Sequence, residues 1–257
     1  MVKGLYTAYT GLINEQNRMD VLTNNLANAS TVGFKKEGAT SQAFNDVLAF
    51  KIKDTTDPLA ARPLGAMSMG VKIGETYTDF SQGSMRGTEN TYDLAISGTG
   101  FFAVEFTNKG GETSTKYTRD GSFILNREGY LVTKDGDYVL GSNNNRIRLD
   151  PNQPSLIDQQ GNIWQNNALV ATVGVTDFED YNYLEHYGEN YYEPVEGYAE
   201  RAGDYKIMSG YLEMSNMSVV NEMVNMISVS RAYETNQKIV QSYDATLEIA
   251  ANQLGKV

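Results

Sequence analysis

The chain has no cysteine and a single histidine, His186. Zinc fingers, disulfide frameworks, thiol nucleophiles and His-based catalytic triads all need residues it does not have, and neither a cofactor nor a metal site is expected. No run of about 18 apolar residues occurs, so nothing reads as a membrane span. The opening MVKGLYTAYTGLINEQ has neither an apolar h-region nor a small-residue cleavage site, so no cleaved signal peptide is expected. Basic residues are outnumbered, 21 against 32 acidic ones, for a net charge of −11. Such a chain offers no basic field to displace phosphate counterions, and nucleic acid is not an expected partner. Proline is scarce as well, five residues all lying between Pro58 and Pro194. What remains is a 257-residue chain, 40% hydrophobic and 21% charged, composed like an ordinary folded protein.

The two longest stretches without glycine or proline are 12–32 and 211–254, while most glycines fall between them. Helix, turn-rich middle, helix is the order this predicts. Near the N-terminus Leu5, Leu12, Met19 and Leu26 recur at sevens, with Ala8 and Leu22 on a second seam and polar residues between. Toward the C-terminus Val219, Met226, Tyr233, Val240, Leu247 and Leu254 do the same, with Val229, Tyr243 and Ala250 beside them. Apolar heptads sustained this long predict helices that pack on helices in coiled-coil fashion. In the middle the period drops to two. Tyr92, Leu94 and Ile96 alternate, as do Phe102, Val104 and Phe106, and Asp120-Gly121, Glu128-Gly129 and Asp135-Gly136 punctuate the strands that follow. This predicts an antiparallel all-β domain. The fold class is therefore α+β, a discontinuous coiled-coil domain from residues 1–32 and 211–257 enclosing a β-rich domain over 69–210. Residues 33–68 read as an extended linker or hairpin. Residues 177–204 carry nine carboxylates against one arginine, interleaved with six tyrosines, and read as an exposed acidic loop.

Chemical candidates are sparse. Asp135-Gly136-Asp137 lacks the spaced carboxylates of a calcium loop and reads as a hairpin turn. Gly98-Thr99-Gly100 lacks the third glycine and following helix of a dinucleotide loop. His186 reads as a solvated surface residue and Trp164, the one tryptophan, as core. Glu185 and Glu189 would suit a glycosidase pair only across a cleft that nothing in the sequence specifies.

Three segments carry a resemblance. LTNNLANASTVGFKKE at 22–37 is similar to the N-terminal signature of the bacterial flagellar rod and hook proteins, with Asn24, Asn25, Asn28, Gly33 and Phe34 as the matching motif residues. TYDLAISGTGFFAV at 91–104 with YTRDGSFILNREGYLVTKDGDYVLG at 117–141 looks like that family's β-domain motif, and GYLEMSNMSVVNEMVNMISVSRAYETNQKIVQSYD at 210–244 like its C-terminal helix. The chain length is similar to that of a rod protein. GLYTA resembles the proximal-rod member and GYLE and RAYE the distal-rod member, so both sections of the rod stay open.

The resemblance implies a structural subunit of the flagellar basal body, in the periplasm or the cell-wall zone. Such subunits assemble helically with copies of themselves and with other rod and hook proteins, without membrane insertion. They form an axial tube that transmits torque from motor to hook and encloses the export channel, and the flagellar type III apparatus exports them. The heptad seams themselves give the residues expected to pack the helices and carry assembly: Leu5, Leu12, Met19, Leu22, Leu26, Val219, Met226, Val229, Tyr233, Val240, Tyr243, Leu247 and Leu254. The residues themselves point the same way, because one pair of helices leaves much of each stripe wet and about 15 residues of the longer helix unmatched. The alternative from a different class is a secreted peptidoglycan-modifying enzyme working from the β domain; an exported β-sandwich ligand binder is a third.

Overall fold

The computed structural model describes residues 2–50, 63–108, 110–188 and 190–252. The chain divides into two compact units. A helical unit comprises residues 1–27, 37–78 and 218–257, and a β unit comprises 28–36 and 79–217.

In the helical unit, α1 spans Val2–Ala27 and α2 spans Val219–Asn252. At 1.5 Å per residue they are about 39 and 51 Å long. They run antiparallel: Gly4 lies against the Tyr243 ring and Gly11 against the Asn236 amide, so seven residues up α1 are seven residues down α2. A side chain at Gly4 would overlap that ring, which accounts for a glycine in the middle of a helical turn. Continued along the pair, this register sets all of α1 beside α2 and leaves about seven residues, roughly 10 Å, beyond its first turn. The overhang is half of what the sequence suggested. The strand Glu37–Ala43 pairs antiparallel with Val71–Thr78, and both pack on α1. Val47–Phe50 pairs antiparallel with Pro63–Met67, giving the hairpin form of the 33–68 segment; its residues 51–62 lie outside the described residues.

The helix boundaries differ from those the glycine pattern suggested. α1 stops at Ala27 rather than at Gly33, because Asn28 turns the chain: Thr31 donates to the Asn28 carbonyl at 3.2 Å and to its side chain at 3.0 Å. α2 starts at Val219, because Tyr211–Glu213 is a strand paired with Met85–Gly87. Residues 28–36 and 211–217 thus belong to the β unit.

The β unit is antiparallel throughout its described strands. Its largest sheet runs in the order Leu184–Tyr187, Tyr191–Pro194, Thr113–Thr118, Phe101–Thr107, Tyr138–Val139, Leu131–Val132, Ile124–Leu125, with Val175–Phe178 also on Phe101–Thr107. Ser155–Ile157, Asn162–Gln165 and Ala168–Thr172 form a separate three-stranded sheet. Leu94–Gly98 pairs with Tyr205–Ser209 rather than with the next strand, so the glycines at 98 and 100 divert the chain between sheets and make no hairpin. Asp135-Gly136 does turn between strands, with the Gly136 N–H on the Thr133 carbonyl at 3.1 Å.

The first four residues of the strand Phe101–Thr107 are buried on both faces. Phe102 and Val104 join Leu94, Ile96, Phe123, Leu131 and Ile163 in one core; Phe101 and Ala103 join Tyr117, Leu140, Phe178 and Tyr192 in another. The second core overturns the reading of 177–204 as a loop. Its residues form the hairpin Leu184–Tyr187/Tyr191–Pro194, and Phe178 and Tyr192 are fully buried while most carboxylates face outward. His186 is accordingly half-buried, its ring edge-on to Tyr192 at 5.5 Å, and not a solvated residue. Trp164 is half-buried in the middle strand of the three-stranded sheet and not a core residue.

Candidate assembly surface

A helix that packs on one partner needs one apolar stripe; these two carry more. Along the heptad seams Val229 is buried, and Leu5, Leu12, Met19, Leu22, Leu26, Met226, Tyr233, Val240 and Tyr243 are half-buried. Val219 and Leu247 are each 38% exposed, and Leu254 lies outside the described residues. Beside the seams runs a second set that the heptad count did not single out. Tyr6, Tyr9 and Ile13 on α1 and Val220, Met223, Val224 and Ile227 on α2 are all exposed, Val220 to 70%. The spacings 6, 9, 13 and 220, 224, 227 place each set on one helical face. The signal was present in the run VVNEMVNMI at 219–227, which holds more apolar residues than a two-helix seam can use.

The helical unit has almost no interior. Among the described residues its fully buried apolar side chains are Ala8 and Val229, and every other one belongs to the β unit. Polar contacts fix its local geometry instead. Asn25, fully buried, donates to the Glu37 carbonyl at 2.7 Å and accepts from the Glu37 N–H at 3.0 Å, tying the end of α1 to the strand that follows. Asn14, also buried, bonds Ser41 at 3.1 Å. Of the motif asparagines, Asn25 is thus a backbone tie and Asn28 a turn former, while Asn24 sits on the exposed side of α1.

The other motif residues, Gly33 and Phe34, are interior parts of the β unit. Gly33 has φ +70°, and a Cβ there would collide with the Arg119–Asp120 backbone; Phe34 is buried. The next residue, Lys35, was missed as a candidate. Its Nζ donates to Glu213 Oε1 at 2.6 Å and to the Ser81 carbonyl at 2.9 Å, and Arg119 donates to Glu213 Oε2 at 3.1 Å. All three side chains are buried. Burial pushes the Lys35 ammonium below its usual pKa, and the adjacent Glu213 carboxylate works against that fall. One residue from each resembling segment meets here, at separations in sequence that no local pattern links.

Comparison with known proteins gives the same three segments. The profile described as "Flagella basal body rod protein" matches residues 5–35, "Flagellar hook protein FlgE/F/G D1 domain" matches 95–165, and "Flagellar basal body rod FlgEFG protein C-terminal" matches 208–254. The flagellar basal-body rod protein FlgG of Bacillus subtilis is 32% identical, over 98% of this chain and 99% of its own length. The flagellar basal-body rod protein FlgF of Caulobacter vibrioides is 33% identical over the whole of both chains. The chain belongs to the flagellar basal-body rod protein family. It is a structural rod subunit and not an enzyme, and its place is the basal body, among other flagellar components. The enzyme alternative finds no support among these relatives. Its candidate Glu185 pairs across the hairpin with Glu193, and Glu189 lies outside the described residues. Lys35, Arg119 and Glu213 each fall within a different matched segment of the rod family.

Proposed function

We propose that copies of this rod subunit assemble helically, through the exposed faces of α1 and α2, into an axial tube. The tube transmits torque from motor to hook and leaves an export channel along its axis. The subunit reaches its site in the periplasm or cell-wall zone through the flagellar type III apparatus and joins other rod and hook proteins there. In this reading the seam residues from Leu5 to Leu26 and from Val219 to Tyr243 hold the helix pair, and Leu247 and the second stripe meet the neighbours.

The observation that carries the proposal is the near-empty interior of the helical unit, among its described residues, beside the exposed apolar stripe of Tyr6, Tyr9, Ile13, Val220, Met223, Val224 and Ile227. Ordering costs about 1–2 kcal/mol per residue of backbone, while a fully buried Val, Leu, Ile or Met contributes roughly 1.5–3 kcal/mol. Two fully buried apolar side chains and a half-buried seam leave the helical unit short of that, and in this reading burial against other copies supplies the rest. The double variant Val224→Asp/Ile227→Asp tests this. Both positions are exposed in the single chain, so its stability should change by less than about 0.5 kcal/mol while assembly is lost. Normal filaments from the double variant would contradict the proposal.

A further inference from the structure

One residue of the exposed α2 stripe is chemically unlike the others. Met223 is 48% exposed, the most open methionine among the described residues. Met67 and Met69, on the segment that leads into Val71–Thr78, follow at 38% and 37%, and the other described methionines are half-buried. Val220 and Ile227 lie one helical turn before and after Met223, and Val224 stands beside it. Between Val219 and Ser230 the only charged residue is Glu222, which is buried. This end of α2 therefore exposes aliphatic side chains, the amides of Asn221 and Asn225 and the Ser228 hydroxyl, but no charge.

The thioether is the one group on this face that a mild oxidant attacks. A lone pair of the Met223 Sδ takes the terminal oxygen of a hydroperoxide, the O–O bond breaks, and water or the corresponding alcohol leaves. Sulfur is oxidised by two electrons and the peroxide is reduced by the same two. The product is a sulfoxide, polar and chiral where the thioether was apolar. Its oxygen accepts hydrogen bonds, which water supplies while the face is open. Pressed against aliphatic side chains it has no donor, and a polar group buried without one is costly.

We infer that Met223 is an oxidation site that gates assembly. A hydroperoxide converts it to the sulfoxide in the single subunit and keeps that copy out of the rod, whereas a copy already assembled is shielded. Methionine sulfoxide reductases return the thioether, so the block is reversible. The inference rests on the reading of this stripe as the contact between copies and adds a chemical control to it.

The test uses the full chain, dilute and unassembled, treated with hydrogen peroxide and mapped by peptide mass spectrometry. Met223 should gain one oxygen at least as fast as any other described methionine. The oxidised chain should keep its helix content and need about tenfold more protein to assemble. Methionine sulfoxide reductases with a thiol should bring that concentration back. Whatever concentration Met223→Leu needs for assembly, peroxide should leave it where it is, because the sulfur is gone. The double variant Met67→Leu/Met69→Leu keeps Met223 and should respond to peroxide as the parent does. In parent chains assembled before treatment, Met223 should stay unmodified. A chain oxidised at Met223 that assembles at the untreated concentration would overturn the inference. So would peroxide sensitivity retained by Met223→Leu or lost by the double variant, since the damage would then lie at another methionine; either result leaves the contact between copies standing. Failure of the untreated chain to assemble would instead remove the proposed function, and this control with it.

Discussion

Glu213 accepts three donors with two oxygens, from Lys35 at 2.6 Å, Gly83 at 2.8 Å and Arg119 at 3.1 Å. It is the single anion between two buried cations, and Arg119 is further held by the Gly98 carbonyl at 2.9 Å. Glu213→Gln would remove the one carboxylate bonded to both buried cations. It should destabilise the β unit by about 3 kcal/mol or more, seen as a lower urea midpoint with unchanged slope. An unchanged midpoint would show that the cluster contributes nothing to stability. Little of this was legible in the sequence. Lys35 and Glu213 are 178 residues apart, and a buried ion cluster has no periodicity to betray it. Gly33 was legible as a motif residue, but the backbone it packs against was not.

The helices were the most legible elements, because a seven-residue apolar repeat survives any error in where it starts or stops. Their ends were less so. The Tyr211–Glu213 strand has three residues, too few for a period of two to show, and glycine-free sequence after Gly210 was read as helix instead. The 177–204 segment was misread for another reason: its average composition is acidic, and averaging hid Phe178 and Tyr192, whose burial makes it part of the sheet. Burial also ranks the elements by local stability. In the dilute single chain, amides of α1 and α2 should exchange hydrogen far faster than those of the first four residues of the strand Phe101–Thr107, which are covered on both faces, and assembly should slow them. Helices that exchange as slowly as that strand in a monomer would show that they need no neighbours.

At the scale of the whole molecule, the chain crosses between its two units four times, after residues 27, 36, 78 and 217. One unit contains its own core; the other leaves its helices half-covered. That asymmetry fits a subunit whose β unit folds by itself and whose helical unit is completed by its neighbours. The account is tested most directly by the accessibility of Val224. A Val224→Cys copy, the only thiol in the chain, should react freely with a maleimide as a monomer and be protected once assembled. Labelling at the same rate in both states would mean that the stripe stays in water and that something else holds the rod together.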